Sequence, residues 1–347
     1  LTNKRLVKEL KNLFEAFIRL IATAIDEKSE YTGAHCENVP KLTMMLADAV
    51  EKVDYGKYKD FSMTEDERYE LYLAGWLHDC GKVATPPHIV DKGTKLETIF
   101  DRVEIIKARF EVLKRDAEIK ILNNKIKSLE EGVEDFKDIS AKLNDDIGEI
   151  SDDVDFIEKT NIGGEFMSKE DQERIRDISQ KYSWNNNGNI EPILNEEEIE
   201  NLCISRGTLT NDEREVINDH IRITIDMLEK LPYPKNLRNI PEFAGGHHEK
   251  LDGTGYPKGL KDEEMSIQAK MMAIADIYEA LTAADRPYKD GKKLSKAMRI
   301  MGYFKDDYHI DKDLFEIFVR EGVYKKYAEI HVAKNQIDEV DESELLK

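Results

Sequence analysis

The spacing of apolar residues predicts helices throughout the first part of the chain. Over residues 4–25 these residues recur at the interval of one helical face, and two more helices are predicted at 39–53 and 64–78. The last of these begins with Thr64, followed three residues later by Glu67, which is the pattern of a capped helix start. Because alternating strand patterns are absent, the sequence predicts an all-α fold.

The middle of the chain carries apolar or small residues in steps of three and four, the heptad spacing of helices that pack as a coiled coil. Gly132 lies in an acidic stretch of this segment and is the position where a helix most easily reverses its direction. We therefore expect a helical hairpin. The heptad positions are Ile105, Ala108, Val112, Ile119, Leu122, Ile126, Leu129, Val133, Phe136, Leu143, Ile147, Ile150, Val154 and Ile157.

Further along, an asparagine-rich stretch around Gly188 predicts a turn or loop, and Thr210 predicts the start of a helix that Pro232 ends. These boundaries divide the chain into four parts. They are an N-terminal linker helix (1–25), the first part of a helical domain (26–92), a helical-hairpin insertion (93–206), and the second part of the domain with C-terminal helices (207–347).

The composition argues against several classes of protein. The 347 residues carry a formal net charge of -20, whereas binding to a nucleic-acid polymer depends on clustered Lys and Arg. No apolar stretch reaches the about 20 residues that span a bilayer. The three cysteines contain no CxxC pair, which supports neither a disulfide framework nor a zinc knuckle, so a reducing cytoplasm is the expected compartment. Cys36 and Cys80 are interpreted as small buried residues.

Five of the eight histidines belong to groups of metal-ligand residues that lie far apart in the sequence, as expected when a bundle gathers ligands from facing helices. Adjacent ligands on a regular helix point about 100° apart, so neighbouring pairs are expected to face different metals or to lie where a helix ends. His88, His309 and His331 are interpreted as packing or capping residues. The predicted ligand set is His35, His78, Asp79, His220, His247, His248 and Asp276.

Imidazole and carboxylate ligands suit Fe, Mn, Zn and similar divalent ions, and a carboxylate such as Asp79 can bridge two of them. Two metals about 3.5 to 4 Å apart can activate a water and stabilise the leaving oxygen of a displacement at phosphorus. In so acidic a protein, metal ions would also supply the positive charge that an anionic substrate needs. The set therefore indicates phosphodiester chemistry with two divalent ions per chain, Fe or Mn first and Ni, Zn or Mg next.

Two motifs resemble the signatures of the HD-GYP family: H-D-C-G-K at 78–82 and the long, highly specific H-H-E-K-L-D-G-T-G-Y-P at 247–257. Further matches are Y-T-G-A-H ending at His35 and D-I-Y-E-A-L-T-A-A-D-R-P-Y-K beginning at Asp276. The resemblance covers the chain on both sides of the hairpin. It implies an HD-domain helical bundle and hydrolysis of cyclic di-GMP to linear pGpG or to GMP.

The resemblance also implies roles for single residues. One metal would be held by His35, His78, Asp79 and Asp276, and the other by Asp79, His220, His247 and His248. Lys82 follows His78 by one helical turn, which would place it on the same face, where it could contact a phosphate oxygen or assist the leaving group. Asp79 and Lys82 would be the catalytic residues. The implied substrate contacts are Lys82, Gly253, Gly255, Tyr256, Pro257, Arg286 and Lys289.

Three positions qualify this picture. Some members of the family have Glu four residues before the first histidine and bind a third metal; Tyr31 stands there, so we expect two metals. The family often has Arg where this chain has Asn38, which removes a possible phosphate contact. Tyr256 could stack on a guanine or simply pack its loop.

The residues leave several functions open. The mixed 3',3'-cyclic GMP-AMP is a second candidate substrate, and a sensor that binds the dinucleotide without hydrolysing it is a non-enzymatic alternative. The complete G-Y-P motif argues against a phosphohydrolase of mononucleotides. We expect a homodimer through the N-terminal helix or the hairpin. Because the chain begins at Leu1 rather than Met, its upstream part could be a sensor or receiver domain.

Overall fold

The computed structural model describes residues 2–28, 34–132, 137–164, 166–283 and 291–347, without the side chains of residues 2, 3 and 137–144. Helices dominate these residues, which confirms the predicted all-α architecture. No helix among the described residues is long and apolar enough to cross a bilayer. The chain divides into two compact units: unit 1 is Leu1–Asp91 with Glu215–Lys347, and unit 2 is Lys92–Arg214.

Unit 1 is a helical bundle, and its first three helices confirm those predicted from the apolar spacing. Thr64 caps the third helix together with Glu67, as expected. The α-helices of unit 1 are α1 (Thr2–Asp26), α2 (His35–Val50), α3 (Glu65–Leu77), α4 (Pro87–Val90), most of α9 (Asn211–Leu228), α10 (Ile240–Gly245), α11 (Ile267–Thr282), α12 (Leu294–Asp306), α13 (Lys312–Arg320), α14 (Val323–His331) and α15 (Glu342–Leu345). Three short 3-10 helices lie at Cys80–Ala84, Lys235–Leu237 and Asp262–Glu264.

The core of unit 1 is built around α11, which packs against α2, α10 and α12. Met271, Met272, Ile274 and Ala275 on α11 are fully buried, as expected for a helix surrounded by others. α2 also packs against α3. The central position of α11 therefore brings its polar residues close to the ends of the neighbouring helices.

Unit 2 contains the predicted helical pair. Its elements are α5 (Val103–Glu130), α6 (Lys137–Asn161), α7 (Lys169–Lys181), β1 (Ser183–Asn186), β2 (Asn189–Pro192) and α8 (Glu196–Leu202), followed by the start of α9. α5 and α6 pack against each other. Gly132 follows α5 with a φ of +82°, a conformation that glycine adopts readily. Part of the connection between the two helices lies outside the described residues.

The heptad prediction is wrong about the buried face of α5. Ile119, Leu122, Ile126 and Leu129 are 55 to 57% exposed, while the unit 2 core takes Val103, Ile106 and Phe110 instead. On α6 the predicted positions Ile150 and Ile157 are buried. The heptad spacing identified the two helices, but α5 turns a face displaced from the heptad stripe toward the core.

The sequence did not predict the two strands of unit 2. β1 and β2 pair antiparallel across the turn at Asn187 and Gly188, the asparagine-rich stretch that was expected to be a loop. Both turn residues have positive φ, 52° and 95°, as the tight hairpin turn typical of Asn-Gly requires. Four-residue strands are too short to give a clear alternating pattern, which is why the turn was visible in the sequence and the strands were not.

Candidate metal centre

The seven predicted ligands meet within unit 1, at the ends and faces of five helices. His35 is the first residue of α2, His220 lies on α9 and Asp276 on α11. The adjacent pair His78-Asp79 directly follows α3, and His247-His248 follows α10, which confirms that both pairs lie where a helix ends. Three overlapping groups have ligand atoms within 4.8 Å of one another: His35 with His78 and Asp276, His78 with Asp79 and His247, and His220 with His247 and His248.

Asp79 contacts histidines with both of its carboxylate oxygens. Its Oδ2 lies 3.2 Å from His35 Nε2 and 3.3 Å from His78 Nε2. Its Oδ1 lies 3.1 Å from His220 Nε2. The carboxylate therefore stands between the group near His35 and the group near His220, which is the geometry needed of a bridging ligand.

The spacing of the ligand atoms fits a cation between them. His35 Nε2 lies 3.2 Å from both Asp276 Oδ1 and His78 Nε2. Two ligand atoms that are each about 2.1 Å from one ion are about 3 to 3.4 Å apart. Among the described residues, Asp79 Oδ1, His220 Nε2 and His247 Nε2 are buried and make no hydrogen bond, since the 3.1 Å contact between the first two atoms lacks hydrogen-bond geometry. Because such atoms are costly unless they are satisfied, the residues present fit a bound metal.

In three of the histidines, a hydrogen bond made by Nδ1 orients the imidazole ring. His78 Nδ1 lies 2.7 Å from the carbonyl oxygen of Gly75, and His247 Nδ1 lies 2.5 Å from that of Ala244. His220 Nδ1 bonds in the same way to a carbonyl three residues earlier. A carbonyl can only accept, so Nδ1 carries a proton and Nε2 is the nitrogen that would bind a metal in its deprotonated form.

His35 is oriented instead by Glu279, a residue that the sequence analysis missed. His35 Nδ1 lies 2.6 Å from Glu279 Oε2, and the glutamate is buried on α11 one turn after Asp276. Asn38 donates from Nδ2 to the other oxygen of Glu279 at 3.4 Å, which gives this departure from the family pattern a structural role. The one available signal was the position of Glu279 on the same helical face as Asp276.

The electrostatics differ between the two sides of the cluster. Burial, with a contribution from neighbouring His220, lowers the pKa of His248 to about 4, although the nearby carboxylates oppose this; burial and His248 lower the pKa of His247 well below its usual value. Both rings are therefore neutral, the form that binds metals. Burial also opposes protonation of His78, but Asp79 and Asp276 outweigh it and raise its pKa to about 9. The carboxylates of Asp79 and Asp276 thus favour a positive charge beside His78.

The local structure that places Lys82 at the site differs from the predicted one. The sequence placed it one turn after His78 on a continuous helix, but α3 ends at Leu77 and Lys82 lies in the 3-10 helix Cys80–Ala84. Its ammonium contacts Asp79 Oδ2. The expected position near the ligands is therefore correct, and the reason given for it is wrong.

The loop that follows His248 packs against the ligands. The ring of Tyr256 stacks on that of His248 with centroids 5.0 Å apart. The backbone N–H of Tyr256 donates to the backbone carbonyl oxygen of His248 at 3.2 Å. Of the two roles left open for Tyr256, packing is the one visible in the protein alone. Burial and the carboxylates of Asp276 and Asp79 raise the pKa of its hydroxyl.

Buried Glu249 holds this loop in place from within. Its carboxylate accepts the backbone N–H groups of Lys258 at 2.7 Å and Leu260 at 2.9 Å. Gly253 has a φ of +80°, and a Cβ on Gly255 would lie 2.2 Å from the backbone nitrogen of residue 250. The loop also includes Pro257, after a cis peptide bond. The two remaining predicted substrate contacts, Arg286 and Lys289, lie outside the described residues, as does Tyr31.

The structure agrees with the packing interpretation of His309, His331, Cys36 and Cys80, whereas the side chain of His88 on α4 is exposed and does not pack in the core. His309 packs on Phe304 and His331 on Tyr327, away from the ligand groups. Cys36 and Cys80 are buried. Burial raises the pKa of Cys80 to about 11, so this thiol is neutral at physiological pH.

Comparison with known proteins finds two matches to the HD domain, and each match includes residues of both units. One family model described as HD domain matches residues 32–153, and a second with the same description matches residues 196–314. The first match includes His35 and His78-Asp79, and the second includes His220, His247-His248 and Asp276. Each match therefore contains part of the ligand cluster.

Curated relatives also match parts of the chain. A 3'3'-cGAMP-specific phosphodiesterase of Vibrio cholerae is 37% identical over 96 residues, which are 28% of this chain and 22% of the relative. A cyclic di-GMP phosphodiesterase of Pseudomonas aeruginosa is 36% identical over 135 residues, 39% of this chain and 29% of the relative. One of Thermotoga maritima is 38% identical over 98 residues, 28% and 26% respectively. The matched region spans less than a third of each of these relatives.

Proposed function

Because the chain belongs to the HD-GYP family of HD domain proteins, we propose that it is a metal-dependent phosphodiesterase that hydrolyses a cyclic dinucleotide. The observation that carries the proposal is the position of Asp79, whose two oxygens contact histidines of two different groups at 3.1 to 3.3 Å. A single carboxylate placed in this way suits a pair of divalent ions. Such a pair suits cleavage of a phosphodiester.

The proposed ligand sets extend the groups of His35 and of His220 by assigning Asp79, which contacts both histidines, to each of them. The first ion would be held by His35, His78, Asp79 and Asp276, and the second by Asp79, His220, His247 and His248. When bound, the two ions supply a water-derived nucleophile and positive charge for the phosphate oxygens. Fe or Mn are the first candidates, followed by Ni, Zn and Mg.

The protein's own residues would bind and orient the substrate beside these ions. Among the described residues, Lys82 is the side-chain cation that contacts Asp79, and we assign it a contact with a phosphate oxygen or the leaving oxygen. Tyr256 closes the site on the His248 side, and the loop clamped by Glu249 provides Gly253, Gly255 and Pro257 as further contacts. Arg286 and Lys289 remain proposed contacts with phosphate or guanine, since arginine's planar fork suits both.

Cyclic di-GMP is the first proposed substrate, with pGpG, GMP or both as product, and 3',3'-cyclic GMP-AMP is the second. The three relatives described above match this chain at similar identity, 37% for the 3'3'-cGAMP-specific phosphodiesterase and 36 and 38% for the two cyclic di-GMP phosphodiesterases. Base selection would depend on the side chains that contact the second base. The choice therefore calls for a direct comparison of the two substrates.

The test is turnover by the metal-loaded protein. Purified protein reconstituted with Mn²⁺ or, under anaerobic conditions, Fe²⁺ is incubated with each cyclic dinucleotide, and the products are resolved by chromatography. We expect linear dinucleotide or mononucleotide from the loaded protein and none after chelation. Saturable binding without product under every metal condition would contradict the enzyme and favour the non-hydrolytic sensor.

We also propose that two copies of the chain associate through α1. Leu6, Leu10, Leu13, Phe17 and Leu20 follow one another in steps of four and three, and each is 58 to 66% exposed. A period of 3.5 residues is the spacing of helices that form a coiled coil. A continuous stripe of exposed apolar side chains is a common mark of a protein–protein interface. A second copy of α1 provides the matching stripe.

Light scattering during size-exclusion chromatography tests this association. We expect the molar mass of two chains for the wild type and of one chain for Leu13→Glu, with Asn12→Glu on the neighbouring helical face as the matched control. Leu122→Glu tests the exposed stripe of α5 as the alternative. A monomeric wild type, or a monomer only with Leu122→Glu, would show the α1 proposal to be wrong.

A further inference from the structure

α2 begins at His35 without a cap from its own sequence. Its N-cap residue is Ala34, which has no side chain that can accept from the free N–H groups of the first turn. The carboxylate of Asp26, the last residue of α1, takes that role: its Oδ2 accepts the backbone N–H of Cys36 at 3.2 Å. Asp26 is buried, and its charge lies at the partially positive end of α2. It therefore fixes the turn that carries His35.

A second charged residue beside the end of α1 is Lys28, which contacts the segment that carries Lys82. The ammonium of Lys28 donates to three backbone carbonyl oxygens, those of Lys82 at 3.1 Å, Val83 at 2.5 Å and Thr85 at 2.6 Å. An ammonium has three donors, so these carbonyls match it fully, and a cation is favourable at the carbonyl end of a helical turn. Lys28 therefore fixes the segment that carries Lys82.

α1 itself is anchored to the bundle near this end. Ile18, Ala22 and Ile25 are buried, and the helix packs against α2, α3 and the 3-10 helix that contains Lys82. Arg19 adds a hydrogen bond from Nη2 to the hydroxyl of Tyr72 on α3 at 2.7 Å. The last turns of α1 therefore form a rigid base from which Asp26 and Lys28 reach the site.

We infer that Asp26 and Lys28 are positioning residues through which the end of α1 sets the geometry of the metal centre. The inference rests on the proposed function for its kinetic consequence. Because both residues belong to one turn, a shift of α1 moves the turn of His35 and the segment of Lys82 together. A misplacement of about 1 Å in such groups can cost about 10²-fold in rate. A purely stabilising role would lower the melting temperature and leave the kinetic constants unchanged.

Lys28→Met tests the Lys28 contact, because methionine keeps the length of the side chain without its donors. We expect kcat to fall roughly 10- to 100-fold with KM changed less than about twofold and metal content unchanged. Lys28→Arg, which keeps the charge and donors, should restore most of kcat. Lys59→Met, at an exposed lysine of unit 1, is the matched control and should leave kcat unchanged.

Hydrogen–deuterium exchange gives a second measurement that does not depend on hydrolysis. Amides of residues 80–85 should exchange faster in Lys28→Met than in Lys59→Met, and those of residues 35–38 should exchange faster in Asp26→Ala. Unchanged exchange in both variants overturns the inference, whether or not the wild type is active. Faster exchange with an inactive wild type supports the clamp and counts only against the proposed hydrolysis. If the wild type is active and the variants exchange faster but keep the full kcat, both residues have only a structural role. That result also overturns the inference.

Discussion

At the scale of single residues, Asp79 connects the two histidine groups, so its removal should affect both proposed ions at once. In Asp79→Ala, the atoms around His35 and His220 lose the carboxylate that stands between them. We expect about two metals per chain in the wild type and a loss of both in the variant, with no detectable hydrolysis. Elemental analysis after desalting measures this, and Asp60→Ala at an exposed position is the control. Retention of one tightly bound ion would contradict a bridging role.

Lys82 should behave in the opposite way, because it contacts Asp79 without providing a ligand atom to a cation. For Lys82→Ala we expect unchanged metal content and a loss of rate of about 10²-fold or more, since a positioned charge on a transferring phosphoryl group is worth about 3 kcal/mol. Steady-state kinetics and metal analysis on the same preparation check both statements. Loss of metal in this variant would show that Lys82 has a structural role at the site.

Glu279 tests whether the hydrogen bond behind His35 matters. In Glu279→Gln the shape is kept, but the charge that orients the His35 ring is lost. Replacing such an outer partner typically costs 10- to 100-fold in metal affinity or activity. Competition with a metal-sensitive chelator measures the affinity, with Glu339→Gln at an exposed glutamate as control. An unchanged affinity together with an unchanged rate would mean that the contact with Glu279 is not needed to orient His35.

The sequence identified residues that the structure brings together, but not the contacts that support them. Six of the seven proposed ligands lie in short motifs whose residue types leave few other interpretations, whereas His220 lies outside these motifs. The contact of His35 with Glu279 joins residues 244 positions apart, and no local pattern marks such a pair. For Lys82 the prediction of position was correct, but it depended on a helix that in fact ends at Leu77.

At the scale of elements, glycines allow the ligand-bearing segments to approach each other closely. Gly81 follows Asp79 in the 3-10 helix, and a Cβ at this position would lie 2.0 Å from the carbonyl oxygen of His220. The Gly81 N–H also donates to Thr224 Oγ1 on α9 at 2.9 Å. The segment with Asp79 and the helix with His220 can therefore touch only if residue 81 has no side chain.

Gly81→Ala should push these two elements apart. We expect a destabilisation of about 1–3 kcal/mol, typical of overpacking, together with weaker metal binding because His220 moves away from Asp79. Urea denaturation and metal titration measure the two effects. Gly148→Ala on α6, where an added Cβ meets nothing within 4 Å, is the matched control and should be neutral or slightly stabilising. Normal metal affinity in Gly81→Ala would contradict the close approach.

For α5, the sequence predicted that a helix is present but not which of its faces is buried. A spacing of three and four identifies a helix, but α5 has two apolar stripes, and only the one with Ile106 and Phe110 faces the core of unit 2. Which stripe is buried depends on the neighbouring α6 and β1, which the sequence of α5 does not contain. The strands β1 and β2 were missed for the related reason that four residues carry too little pattern.

At the scale of the whole molecule, the residues that the structure describes form two hydrophobic cores. One contains Leu42, Met272 and Phe318 in unit 1, and the other contains Phe110, Ile157 and Ile175 in unit 2. All seven predicted ligands lie in unit 1. Metal binding should therefore stabilise one unit without stabilising the other, because a ligand stabilises only the folded unit that binds it.

Chelation should separate the two units by their stability. At a free metal concentration a thousandfold above Kd, each ion adds about 4 kcal/mol to the folded state of unit 1, and its removal also leaves buried atoms such as Asp79 Oδ1 unsatisfied. We expect chelation to accelerate amide exchange in α2, α3, α9 and α11, whose ends and faces carry the ligands. Exchange in α5, α7 and α8 should be unaffected, because their core contains none of them. Equal acceleration in both units would mean that they fold as one cooperative body, and the division of the chain at Asp91 and Glu215 would then describe packing without independent stability.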